Sequence, residues 1–336
     1  MPFILKSLGV LVVTAATAVG IWLYMLTSDG FAISLEGLRT KYEMPDSKYI
    51  TLDGINIHYM DQGEGPAVVL SHASFHSLRA WDDMVEDMTD QFRIIRFDYP
   101  NAGLSGFDKK NRYSVEHYQE LITQLTEALE IDKFHLIGTS SGATVAFRYA
   151  ANNPEKLNRF VLINSAGMPR TAVTNPNRAR GSALSRWIYS YHQPRSYWRK
   201  ALAQNITSKP ATEEHIEMNY DMNRRADRGE AARIFRRKYI IGDPSVVLDD
   251  ITAPTLIMWG MDNPTVMHLE ANVIQLWMTG APTIVKKYDR LGHYPYIEEP
   301  EAFASDISAF LSGEWDGQLR QTQRVKPEDL TELTSD

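Results

Sequence analysis

Ser140 lies in Leu136-Ile137-Gly138-Thr139-Ser140-Ser141-Gly142, a G-x-S-x-G pattern that joins an apolar run to an amphipathic stretch. Glycines on both sides of a serine at a strand-to-helix turn permit a sharp bend that lifts the hydroxyl above a sheet. The free N–H groups of the helix that follows can receive a developing negative charge. A serine hydroxyl is a weak nucleophile and needs a neighbouring base. Of the nine histidines, His293 in Arg290-Leu291-Gly292-His293-Tyr294-Pro295 is the candidate, because it follows the last apolar run on a glycine-containing loop. His58, His117, His135, His192 and His215 fall on strands, helices or a middle insertion and read as structural or surface residues. A third group should hold the imidazole tautomer and stabilise the imidazolium. Trp259-Gly260-Met261-Asp262-Asn263-Pro264 offers Asp262 for that role, in the chain order Ser140, Asp262, His293.

These residues need a scaffold that brings them together. Short apolar runs at Tyr49 to Leu52, Ile55 to Tyr59, Ala67 to Ser71, Arg93 to Phe97, Phe134 to Gly138, Phe160 to Asn164, Thr255 to Trp259 and Thr283 to Lys287 read as strands. AVVLS, FHLIG, FVLIN and TLIMW are almost continuously apolar, as in strands covered on both faces. Val115 to Leu129 and Ala143 to Ala151 have helical spacing. Strand and helix in alternation predict a mostly parallel, doubly wound α/β sheet with its site beyond the carboxyl ends of the strands. Residues 45–167 and 251–312 are assigned to this core. Residues 168–250 are too long an insertion for a loop and predict a helical cap. Trp187, Tyr189, Tyr191, Tyr197 and Trp198 in that cap would line an apolar substrate pocket or form the cap's own core.

At this point the sequence resembles the α/β-hydrolase superfamily over about residues 45–312. The resemblance rests on Leu70-Ser71-His72-Ala73-Ser74, on Arg96-Phe97-Asp98-Tyr99-Pro100-Asn101-Ala102-Gly103-Leu104-Ser105, on the serine turn, and on the P-T-L-x-x-W-G and G-H-x-P segments. It implies an oxyanion hole of the Ser74 and Ser141 backbone N–H groups, a bracing role for His72 and a loop-fixing role for Asp98. It also implies a serine hydrolase that forms an acyl-enzyme from an ester, thioester or lactone, with perhydrolysis as a side activity. A carbon–carbon bond hydrolase of the same fold and a non-catalytic binding protein are the alternatives. Three departures bear on the last: Ala73 and Asn101 replace glycines, and the family's usual acid position holds Asn263. Either Asp262 turns toward His293 or the neutral amide of Asn263 orients it. A serine in this turn separates the chain from haloalkane dehalogenases and related epoxide hydrolases, which use an aspartate there.

The composition narrows the rest. The chain has 336 residues and no cysteine, so disulfides, thiolate metal sites and a cysteine nucleophile are excluded. No histidine or carboxylate cluster has ligand spacing, and neither metal nor organic cofactor is expected. A net charge of −7 argues against nucleic acid as a partner. That charge is uneven: Met168 to Gly242 carries fifteen Arg or Lys against six Asp or Glu. Leu8 to Leu26 is uncharged and long enough for a bilayer. Within it Ala16-Thr17-Ala18 resembles a signal-peptide cleavage site, but the apolar run continues past it. Residues 1–30 are therefore read as a single-pass anchor, with the N-terminus cytoplasmic and the enzyme on the far side. The expected partners are a small-molecule or lipid-like acyl substrate and, through the basic cap, an anionic lipid surface. Residues 313–336 read as a polar, solvated tail.

Overall fold

A computed structural model describes residues 2–28, 30–168, 182–226, 228–238 and 242–322. Arg170, Arg178, Arg180 and Asp227 of the basic segment, and the tail from 323 on, lie outside the described residues. Each apolar run of the sequence becomes a strand: β1 (Lys48–Leu52), β2 (Ile55–Gln62), β3 (Ala67–Ser71), β4 (Arg93–Phe97), β5 (Phe134–Thr139), β6 (Leu157–Ile163), β7 (Thr255–Gly260) and β8 (Thr283–Tyr288). They form one sheet in the order β1-β2-β4-β3-β5-β6-β7-β8. β2 is antiparallel to β1 and β4, and all other pairings are parallel.

The helices are α1 (Pro2–Thr27), α2 (Leu35–Tyr42), α3 (Asp82–Glu86), α4 (Val115–Ala128) and α5 (Ser140–Asn152), then α6 (Ala183–Tyr191), α7 (Arg195–Asn205), α8 (Glu213–Asn223), α9 (Arg228–Lys238) and α10 (Pro244–Asp249) between β6 and β7, and finally α11 (Leu269–Trp277), α12 (Pro295–Glu298) and α13 (Pro300–Leu311). One face of the sheet is covered by Leu121, Ile122 and Leu125 of α4, Phe147 of α5 and Ile274 of α11. The other is covered by Met84 and Val85 of α3 and Phe303, Ile307 and Phe310 of α13. Burial on both faces explains why β5, with every residue buried, has no polar alternation. The chain thus has the mostly parallel sheet, with a helical cap inserted after β6, that the sequence predicts.

Two sequence expectations are refined. Residues 313–322 include no buried residue, but they are fastened to the core: Arg320 pairs with Thr283 at the edge of β8, and Arg159 bonds Asp316. Of the cap aromatics Trp198 is buried, whereas Trp187, Tyr189 and Tyr191 are each more than a third exposed, Trp187 packing on Tyr191 and Tyr189 on Tyr197. In helix α1 the span Val10–Thr27 is almost wholly exposed and is long and apolar enough to cross a membrane.

Candidate active site

Strand register fixes the site. Ser71 at the end of β3 pairs with Gly138 of β5, which lays the His72 to Ser74 turn beside the serine turn. Ser140 has φ +51°, a left-handed conformation that a side chain adopts at a cost. The close approach needs Gly142, where a Cβ would collide with the carbonyl oxygens of Ser71 and His72. From β8, the loop through Leu291 and Gly292 returns His293 to the same end of the sheet.

His293 Nε2 lies 3.0 Å from Ser140 Oγ. His293 Nδ1 lies 3.1 Å from Oδ1 of Asn263. That oxygen also accepts the backbone N–H groups of Thr265 at 2.9 Å and Val266 at 3.1 Å. Two backbone donors identify which end of the amide is oxygen, so His293 must donate from Nδ1 and present a lone pair at Nε2 to the Ser140 hydroxyl. Burial pushes the His293 pKa down to about 3, so the imidazole is neutral near pH 7.

The expectation for Asp262 is corrected by this geometry. The chain turns at Met261 and Asp262 directly after β7, a turn held by the Met261 N–H donating to Tyr288 O and the Asp262 N–H to Leu291 O. Within it Asn263 is buried and Asp262 exposed. No hydrogen bond joins the Asp262 side chain to His293 among the described residues.

The Ser74 N–H points into the site, but its acceptor is Ser141 Oγ at 2.7 Å. The two serine hydroxyls are themselves 2.7 Å apart. His72 braces the turn: Nδ1 donates to Ala73 O at 2.8 Å, and Nε2 accepts the Tyr99 N–H at 3.1 Å. Asp98 is a buried hub, accepting from His58 Nδ1 at 2.7 Å and from the Leu78 and Leu104 N–H groups at 2.7 and 2.9 Å. Its pairing with His58 holds its carboxyl below the usual range despite the opposing effect of burial. Ala73 does not have positive φ, whereas Asn101 takes the left-handed conformation at +65°. Both departures from glycine are thereby accommodated.

Three residues not anticipated from sequence hold the histidine loop. Buried Asn164, just beyond β6, donates to the Gly292 and His293 carbonyls at 2.9 and 3.0 Å and accepts the Gly260 N–H at 3.0 Å. The Asn205 carbonyl at the end of α7 accepts the His293 N–H at 2.7 Å. Glu298 accepts the Gly292 N–H at 2.7 Å and the Thr207 and Ser208 N–H groups at 2.8 and 2.7 Å. The only sequence signal was a polar residue ending an apolar strand at Asn164.

A cavity of about 320 Å³ opens beside Ser74, Ser141 and Gly142. Phe75, Tyr99, Tyr113, Tyr118 and Phe235 supply its aromatic wall, and Arg228 and Arg236 of α9 its cationic groups. Among the described residues, no group of three or more His, Cys, Asp or Glu could hold a metal ion.

This site lies in a recognisable class. Residues 66–300 match the α/β-hydrolase fold family, and the chain belongs to it. It is an enzyme of that fold, with chemistry of the serine-hydrolase type. It is 25% identical over 276 residues, 80% of its own length and 96% of its relative's, to 2-hydroxy-6-oxo-2,4-heptadienoate hydrolase of Pseudomonas putida. It is 24% identical over 292 residues to 2-hydroxy-6-oxo-6-phenylhexa-2,4-dienoate hydrolase of Burkholderia cepacia, covering 80% of this chain and 98% of that one. Among solved structures, a membrane phospholipase A superposes with TM-score 0.67 and 24% identity, over 92% of this chain and 98% of that one. A meta-cleavage product hydrolase from Pseudomonas fluorescens superposes with TM-score 0.68 and 21% identity, over 80% and 98%.

Proposed function

We propose that this protein hydrolyses the bond next to a carbonyl carbon through an acyl-enzyme on Ser140, and that this bond is carbon–carbon in a vinylogous diketone. The observation that carries the first part is the Ser140 Oγ to His293 Nε2 distance of 3.0 Å in a strained serine turn. Ser140 attacks the carbonyl while its proton passes to His293 Nε2, with Asn263 keeping Nδ1 protonated. The oxyanion is received by the N–H groups of Ser141 and of Ser74, the latter once the Ser141 hydroxyl turns away from it. Collapse of the tetrahedral intermediate returns the proton from His293 to the leaving carbon. Water, deprotonated by His293, then releases the acid.

The carbon–carbon assignment is supported by relatives named for dienoate hydrolysis at about a quarter identity. A cavity with an aromatic wall and two arginines suits a conjugated, carboxylate-bearing substrate. One observation favours a second reading, ester cleavage on a lipid: α1 is membrane-length, and the likeness to a membrane phospholipase A extends over 92% of the chain. In either reading α1 serves as a single-pass anchor. The deciding experiment compares a 2-hydroxy-6-oxo-dienoate, followed by loss of its dienolate absorbance, with graded esters presented in solution and in micelles. Ser140-dependent turnover of esters alone would overturn the carbon–carbon reading. Failure of a fluorophosphonate to label Ser140 in folded protein would overturn the acyl-enzyme itself.

A further inference from the structure

Resting on the reading of α1 as an anchor, we infer that cap helix α6 lies in the membrane interface beside the end of α1, with Leu184, Trp187 and Tyr191 embedded among lipid headgroups. Leu184 is 65% exposed, Trp187 42% and Tyr191 46%, while Tyr189 projects from the other side of the helix, its ring 5.2 Å from that of Tyr197. Leu184, Trp187 and Tyr191 recur at helical spacing along one side of this nine-residue helix, with the Trp187 and Tyr191 rings 5.4 Å apart, and together form an exposed apolar and aromatic face. The helix contains no acidic residue. Tryptophan and tyrosine have an apolar ring and a polar tip, and the headgroup region accommodates both.

The position of this helix singles out a bilayer as the occupant. α1 packs against α6, and α1 itself carries exposed Trp22 and Tyr24 near its carboxyl end. The chain leaving α1 is fastened to the cap. The Ile33 N–H donates to Arg224 O and the Ala226 N–H to Ile33 O, both at 3.1 Å. Arg224 Nη1 donates to Phe31 O at 3.0 Å. The Phe31 ring lies 4.8 Å from that of His192, which caps α6. Helix α2 continues the attachment: Leu38 packs with Met218 and Met222 of α8, and Lys41 and Tyr42 bond Asp221 at 2.6 and 2.8 Å. A helix that crosses a bilayer therefore delivers the cap to the surface, with the aromatic face of α6 beside the point of exit. A single short amphipathic helix binds lipid weakly, but beside a spanning helix its insertion is intramolecular.

The absence of cysteine makes the test clean, because one introduced thiol is unique. Leu184→Cys, Tyr191→Cys, Val13→Cys in α1, Glu214→Cys on α8 and Asp132→Cys on the core would each be nitroxide-labelled in full-length protein. Each is reconstituted into vesicles of phosphatidylcholine and phosphatidylglycerol. Collision rates are then compared for oxygen, which partitions into lipid, and a water-soluble nickel chelate. The expected result is an oxygen-to-nickel ratio at 184 and 191 several-fold above that at 132 and 214, and below that at 13. Ratios at 184 and 191 equal to those at 132 and 214, with 13 lipid-embedded, would overturn the interfacial helix and leave the anchor standing. A water-exposed label at 13 would overturn both.

Discussion

Replacing Asn263 with aspartate should raise activity. The amide oxygen already accepts Thr265 N–H, Val266 N–H and His293 Nδ1–H. Its nitrogen is buried without a hydrogen-bond partner, so a second oxygen there displaces no existing bond. A carboxylate at this position would sit about 4 Å from the charge that forms on His293 during attack. At an effective dielectric constant of about 20, that is worth about 4 kcal/mol. Since about 1.4 kcal/mol is tenfold in rate, the ceiling is about three decades. Desolvation of the new carboxylate offsets part of this, and the expected gain in kcat/KM is about a hundredfold. The same energy would raise the His293 pKa from about 3 by about three units. The acid limb of the variant's pH profile should then lie near pH 6. The assay is the second-order rate of fluorophosphonate labelling and ester or dienoate hydrolysis from pH 5 to 9, with circular dichroism to verify folding. A folded Asn263→Asp enzyme with unchanged or lower kcat/KM would refute the assignment of Asn263 as the partner of His293. Asp262→Asn serves as the control and should leave the rate unchanged.

Other outcomes follow from the same contacts. Ser141→Ala removes the hydroxyl that occupies the Ser74 N–H, and at about 1 kcal/mol per net hydrogen bond labelling of Ser140 should quicken roughly fivefold; slower labelling would mean that this hydroxyl assists the reaction. Asp98→Ala strands His58 and the Leu78 and Leu104 N–H groups, and should cost about 3–5 kcal/mol of stability in chemical denaturation. His76, His135 and His293 have pKa values lowered by burial to about 3, 4 and 3. Below the ordinary histidine value of about 6.5 the unfolded chain binds the additional protons, so their stability is complete above that pH and declines as pH falls toward the folded values, by about 2 kcal/mol each at pH 5. A melting temperature that stays flat between pH 7 and 5 would contradict this.

The strands were legible because burial on both faces leaves continuous apolar runs, as in AVVLS, FHLIG and TLIMW, and their bounds agree with the structure to within a few residues. The serine turn and the histidine loop were legible for a related reason: chemistry at a strand end requires glycine and a nucleophile or base within a few residues. The supports of the histidine loop were not. Asn164, Asn205 and Glu298 reach it from elements distant in sequence, and a buried amide or carboxylate is not distinguishable in sequence from a surface one. The cap aromatics were read as pocket or core because hydrophobicity alone does not say which face of a short helix the fold leaves uncovered.

By itself the sequence determined the class of scaffold, the nucleophile and base candidates, and the apolar helix at one end, since each depends on local pattern. The tertiary structure decided that Asn263 rather than Asp262 meets His293. Adjacent residues of the turn after β7 face different surroundings, and only the bonds that hold that turn against Tyr288 and Leu291 set which of the two faces the histidine. It also decided that α1 leads into the cap, through bonds between Phe31, Ile33 and Arg224 that join residues far apart in the chain.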